Sequence, residues 1–175
     1  MFLSFLSLLI TPSLMSCTFP VKNDIRDTSD NFEEFTDIEV VDIPGCDSGN
    51  LYYNIETRDR DGNIITVAET SGYVELWATI GNACKKTVEY QTETQCVIEA
   101  WSISGGPFSN PESYSLLCDP TPEDRSLPSG KQLQMMISPL NDLVEGSYDL
   151  GATFSVLDDA LENKTDSITL TVNAI

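Results

Sequence analysis

The chain contains no histidine. That absence removes the base from Ser-His and Cys-His nucleophile pairs, and with it the commonest protein metal ligand. Carboxylates are what remain for acid–base work. Glu33-Glu34, Glu123-Asp124 and Asp158-Asp159 are adjacent pairs, and two carboxyl groups flanking a scissile bond can serve as acid and base. With 28 acidic residues in the chain, such neighbours arise by chance, and all three fall in segments that read as turns or tails. Gly105-Gly106-Pro107 does not cradle a phosphate, because neither a following Lys nor a strand-to-helix setting is present. The expectation is a protein that is not an enzyme and holds no cofactor.

Metal chemistry fares no better. Asp59-Arg60-Asp61-Gly62-Asn63 contains the beginning of a calcium loop, but the twelfth position from Asp59 is Thr70, where a bidentate Glu is required. The Asp-Gly step fits a tight hairpin instead, since Gly accepts positive φ. The cysteines (Cys17, Cys46, Cys84, Cys96 and Cys118) include no Cys-x-x-Cys, so no zinc site is expected. Asn163-Lys164-Thr165 is the only standard sequon; in a eukaryotic secretory pathway Asn163 is expected to be glycosylated.

Charge narrows the partners. Nine Lys and Arg against 28 Asp and Glu leave a net charge of -19, which opposes binding to nucleic acid and docking on anionic lipid by electrostatics alone. The opening MFLSFLSLLITPSLMSC reads as a secretory signal over residues 1–18, with cleavage between Ser16 and Pro20. A rival reading takes Leu14-Met15-Ser16-Cys17 as a bacterial lipoprotein box, anchored through an acylated Cys17. If Cys17 leaves or is acylated, four cysteines remain, with three possible connectivities. Cys96 with Cys118 is preferred, leaving Cys46 with Cys84, in an oxidising compartment. The expected location is secreted, or the lumen of the endomembrane or vacuolar system.

These residues need a frame, and the hydrophobic pattern supplies one. Leu133, Met135 and Ile137 alternate with polar neighbours; Tyr148, Leu150, Ala152, Phe154 and Val156 do the same after a Pro- and Gly-containing connection. Period-2 alternation buries one face of a strand, and two such faces need a second sheet to cover them. Further strands are expected at Ile38–Ile43, Leu51–Thr57, Ile64–Ala68, Val74–Ile80, Thr87–Gln91, Cys96–Ile103, Tyr114–Cys118 and Ser167–Val172. Gly105–Pro107 and Pro120–Gly130 read as loops, and Leu157–Asp166 as an acidic turn. The fold class is all-β, an immunoglobulin-like β-sandwich of two antiparallel sheets over residues 37–175, behind a flexible acidic leader at 19–36. Tyr53, Ile55, Leu76, Ile80 and the stripes above read first as plain core, with a ligand pocket as the alternative.

The order of segments also resembles a known family. Gly72-Tyr73-Val74 opens a strand, the Cys96 and Cys118 segments follow, and Cys118-Asp119-Pro120 leads to Leu127-Pro128-Ser129-Gly130. After the Lys131–Ile137 strand come Pro139, Glu145-Gly146-Ser147-Tyr148 and a hairpin starting at Leu157-Asp158-Asp159. This order is similar to the MD-2-related lipid-recognition (ML) domain family, in outline its fungal phosphatidylglycerol/phosphatidylinositol transfer branch. The resemblance implies a phospholipid or sterol held between the sheets, transient membrane contact, and carriage without bond-making. It implies a hollow lined by Leu76, Ile80, Met135, Ile137, Tyr148, Leu150, Phe154 and Val156, with the Tyr148 hydroxyl near a headgroup. The alternative function is a non-catalytic extracellular immunoglobulin-like adhesion or interaction module with a solid core.

Overall fold

The computed structural model describes residues 34–41, 46, 50–70, 72–154, 156–157 and 164–175. The expected signal at 1–18, Asn163, Glu33 and Asp158-Asp159 lie outside them. The described residues belong to one unit, Asn31–Ile175. Its strands are β1 (Glu34–Asp37), β2 (Tyr52–Arg58), β3 (Val67–Glu69), β4 (Val74–Asn82), β5 (Val88–Thr92) and β6 (Ile98–Gly105). They continue with β7 (Phe108–Ser115), β8 (Glu123–Leu127), β9 (Lys131–Leu140), β10 (Gly146–Phe154) and β11 (Lys164–Asn173).

The front sheet has the order β1-β9-β4-β2, the back sheet β3-β11-β10-β6-β7, and β5-β8 form a separate ribbon. Pairing is antiparallel throughout except at the rim, where β3 joins β11 in parallel over three residue pairs. The chain is thus an all-β sandwich. Val74, Leu76, Ala78 and Ile80 of β4 face inward against Tyr148, Leu150, Ala152 and Phe154 of β10, with Leu170 and Val172 beside them. The Tyr53 and Phe154 rings meet across the sheets at 4.4 Å between centroids. The Ile55 amide donates 2.8 Å to the Asp166 carboxylate, tying the free rim of β2 to β11.

Four sequence expectations shift. The first strand lies at Glu34–Asp37, overlapping the last three residues of the segment read as leader, rather than at Ile38–Ile43. It holds there because Glu34 to Asp37 pair with Gln134 to Lys131. Ile38 and Val41 then bond to the Gly130 and Ala83 carbonyls outside any strand, and residues 42–45 are not described. The turn after β2 closes, with the Asp59 amide on the Asn63 carbonyl and the Ile65 amide on the Thr57 carbonyl. Yet the returning chain keeps only an Arg58–Ile64 bridge to β2 before β3 crosses to the back sheet. Third, Glu123–Leu127 is a strand rather than loop, because β5 supplies a full register of partners and Leu127 is buried. Finally, β7 begins at Phe108 and ends at Ser115, earlier than Tyr114–Cys118, in a segment whose side chains are almost all exposed.

Disulfides join Cys46 to Cys84 and Cys96 to Cys118, with Cα separations of 6.0 and 5.7 Å. Two such bonds are consistent with an oxidising, extracellular or lumenal environment. Fully buried Asn82 organises the first corner. Its amide donates to the Lys86 and Leu127 carbonyls and its oxygen accepts from the Cys84 amide. A buried amide with all its bonds made specifies a geometry; one left unpaired would be costly.

Candidate functional site

The eight residues implied as a lipid lining divide into two groups. Leu76, Ile80, Tyr148 and Leu150 have 0% exposure, Phe154 1% and Val156 5%. A side chain bordering a hollow wide enough for hydrocarbon would keep free surface on that side, and these keep almost none. These six are therefore core, packed against one another across the two layers. Tyr148 shows why: its hydroxyl donates 2.8 Å to the Val144 carbonyl at the β9–β10 turn. Its ring is covered by Gly106, where a Cβ would come within 2.5 Å of it. The phenol is spent on the turn and does not reach an open edge.

Met135 and Ile137 behave differently. They are half-buried, and with Met136 they border a recess of about 60 Å³ between β9, the start of β6 and the end of β7. Three consecutive residues reach one recess because the β4–β9 register shifts there: Trp77 pairs with Met136 but Leu76 pairs with Ser138. Ile137 is the extra residue of a β-bulge, which twists the strand and re-aims its side chains. The remaining wall comes from Gln95, Cys96, Val97, Ile98, Leu116 and Arg125.

Arg125 fixes one side of that wall. Its guanidinium donates to the Thr92 hydroxyl, the Gln95 carbonyl and, at 2.7 Å, the Glu123 carboxylate. Its side chain is 14% exposed. The second disulfide joins Cys96 of the wall to Cys118, and the Leu116 amide donates to the Glu99 carbonyl. Glu123-Asp124, one of the carboxylate pairs weighed for catalysis, is already engaged: Glu123 with Arg125, and Asp124 with the Gln91 amide at 2.8 Å.

A second polar cluster, not anticipated from the sequence, occupies the outer face of the front sheet. Arg58 lies 4.4 Å over the Trp77 ring and bonds to Glu56; Arg60 lies 5.2 Å over Tyr73. Glu75 accepts from the Trp77 indole at 2.8 Å and from the Tyr73 hydroxyl. The Arg58–Trp77 cation–π contact fastens β2 to β4, while the Arg58–Glu56 ion pair lies within β2. The signal was present as alternation, since Tyr73, Glu75 and Trp77 share a face, but the partners come from β2 and its turn. Nearby, Tyr52 lies over Gly81, where a Cβ would meet its ring at 2.0 Å, and its hydroxyl donates 2.6 Å to Gln132. Partial burial raises the Tyr52 pKa above the usual tyrosine value. The Asp59 loop is likewise self-contained. Its carboxylate accepts from the Asn63 side chain and from the Asn63 and Asp61 amides, which lowers its pKa.

Fold and site together define a disulfide-linked β-sandwich with a packed interior and, among the described residues, a mostly apolar recess beside β9. No family model matches the chain, and no curated protein matches it. Among solved structures it is similar to the sporulation control protein Spo0M of Bacillus subtilis, at 9% identity and a TM-score of 0.39 over 70% of this chain. The chain spans about 50% of the length of that structure.

Proposed function

We propose that the chain is a secreted, non-catalytic interaction module: a solid β-sandwich whose work is done on its surface. The observation that supports this reading is the packing of Leu76, Ile80, Tyr148, Leu150, Phe154 and Val156 as core. A pocket that encloses a small molecule typically runs to ~300–1,000 Å³, against about 60 Å³ in the recess. Surface recognition by contrast needs only a rigid frame, and the two disulfides and the satisfied Asn82 corner supply that.

A carrier reading of the kind the ML resemblance implies has one observation in its favour, the presence of Met135 and Ile137 at the open side of the sandwich. It requires the sheets to part and the six core side chains to lose their contacts. Each CH₂ uncovered in that way costs about 0.8 kcal/mol before a lipid replaces it. It therefore ranks second.

Native mass spectrometry of the protein purified from its own host separates the two. The expected mass is that of the polypeptide, any glycan and two disulfides, with no uptake of fluorescent phospholipid or sterol. A stoichiometric co-purifying lipid would overturn the interaction reading.

A further inference from the structure

Three features bear on the recess, one in its wall and two in the chain that runs directly on from the lining residues. Its wall is mostly apolar and adaptable, with Met135, Met136, Ile137 and Leu116 beside the polar Gln95 and Arg125; thioether side chains reshape around varied partners. Next along the chain from Leu116, Leu117 stands 95% exposed. The segments that supply the lining, 93–99, 116–125 and 134–138, carry Glu93, Glu99, Asp119, Glu123 and Asp124 against a single cation, Arg125. That cation's guanidinium is held by Thr92, Gln95 and Glu123.

We propose that this recess receives one apolar side chain presented on a cationic segment of a partner protein. The inference rests on the interaction reading above and adds the docking point and the chemistry of the partner. A recess of about 60 Å³ is far below the ~300–1,000 Å³ of a pocket that encloses a ligand, so it offers room for the end of one side chain rather than for an acyl chain. Apolar insertion gives the complex its lifetime, and the acidic surround steers the encounter and sets the sign of what approaches. A second copy of this chain is a poor occupant, because two surfaces of net charge -19 repel.

The test uses the two methionines as reporters. The chain's other methionines are Met1 and Met15, in the signal segment, so methyl-labelled mature protein gives resonances for Met135 and Met136 alone. The probe is the blocked peptide Lys-Lys-Leu-Lys-Lys, with Lys-Lys-Ser-Lys-Lys and Glu-Glu-Leu-Glu-Glu as comparators. Saturable shifts of both methyls with the first peptide are expected, weakening as salt rises. The serine peptide should bind about tenfold more weakly, since it buries no aliphatic group. Leu117→Ser and the pair Glu93→Lys/Asp119→Lys change exposed side chains, so the fold should be kept, as circular dichroism would report. Each is expected to weaken the first peptide about threefold or more, the first by removing an apolar lip, the second by removing steering charge. Unmoved methyls, equal binding of the leucine and serine peptides, or equal binding of the acidic peptide would each overturn the proposal. Silent methyls alongside a lipid-free native mass remove only this docking point. A co-purifying lipid removes the interaction reading itself.

Discussion

Leu150→Ala distinguishes a core from a lining more sharply than any ligand assay. Leu150 sits in β10 between Ile103 of β6 and Ile168 of β11, with 0% exposure. Truncation removes three carbons, worth roughly 2.4 kcal/mol at ~0.8 kcal/mol per buried CH₂. The cavity left behind adds to that, which places the total near 3 kcal/mol, within the ~2–5 kcal/mol seen for buried Leu to Ala. With a urea slope of about 2 kcal/mol/M, the unfolding midpoint should fall by ~1.5 M. A side chain facing an empty hollow has already forfeited packing on one side, and its truncation would cost below ~1 kcal/mol. Equilibrium urea unfolding followed by tryptophan fluorescence measures the difference. A loss under ~1 kcal/mol with unchanged slope would refute the packed-interior reasoning.

Other perturbations probe the frame. Gly105 has φ +85° and an added Cβ would lie 2.2 Å from the Ser147 carbonyl oxygen, whereas Gly62, at φ +82°, has nothing within 4 Å. Gly62→Ala should therefore cost ~1 kcal/mol and Gly105→Ala clearly more, about 2–3 kcal/mol, in thermal or urea unfolding. Equal losses would show that the collision is relieved for nothing. Removing both cysteines of the Cys46–Cys84 pair, which closes 38 residues, should destabilise by about 3.9 kcal/mol, and removing Cys96–Cys118, which closes 22, by about 3.4 kcal/mol. Wild-type stability in either variant would contradict these magnitudes, and a larger loss in the second than in the first would contradict their order. Tyr114 donates to the Glu112 carboxylate, which with lesser desolvation and charge repulsion raises its pKa above the usual value. Because the folded state favours the neutral phenol, this contribution is present below about pH 10 and is lost as pH climbs through the raised value. Absorbance titration should show Tyr114 ionising late, and Glu112→Ala bringing it back; an unchanged curve in that variant would break the assignment.

The strands that carry the core were legible because they are written in alternation. In β4, β9 and β10 the residues at Leu76, Ile80, Leu133, Tyr148, Leu150 and Phe154 all turn inward. The segments β1, β7 and β8 were missed or misplaced because EFTD, FSNPESYS and EDRSL bury little of their own. They become strands through neighbours in β9, β6 and β5, and period-2 patterning is blind to a partner that supplies only backbone bonds. The site was half legible. Alternation identified Met135 and Ile137 as inward-facing, but the bulge at Ile137 that brings Met136 to the same recess is a property of the β4–β9 register. Nor does periodicity separate a wall from a core; only the exposure of Leu76 and its neighbours does that.

The free rim of β2 has one more consequence. Along it the Ile55 amide is held by Asp166, the Thr57 carbonyl by the Ile65 amide and the Asp59 amide by the Asn63 carbonyl. These three backbone groups, which would otherwise invite a passing extended chain, are already spoken for. An extended chain arriving at that margin finds few open partners, which makes the rim of the four-stranded sheet a poor seed for edge-to-edge assembly.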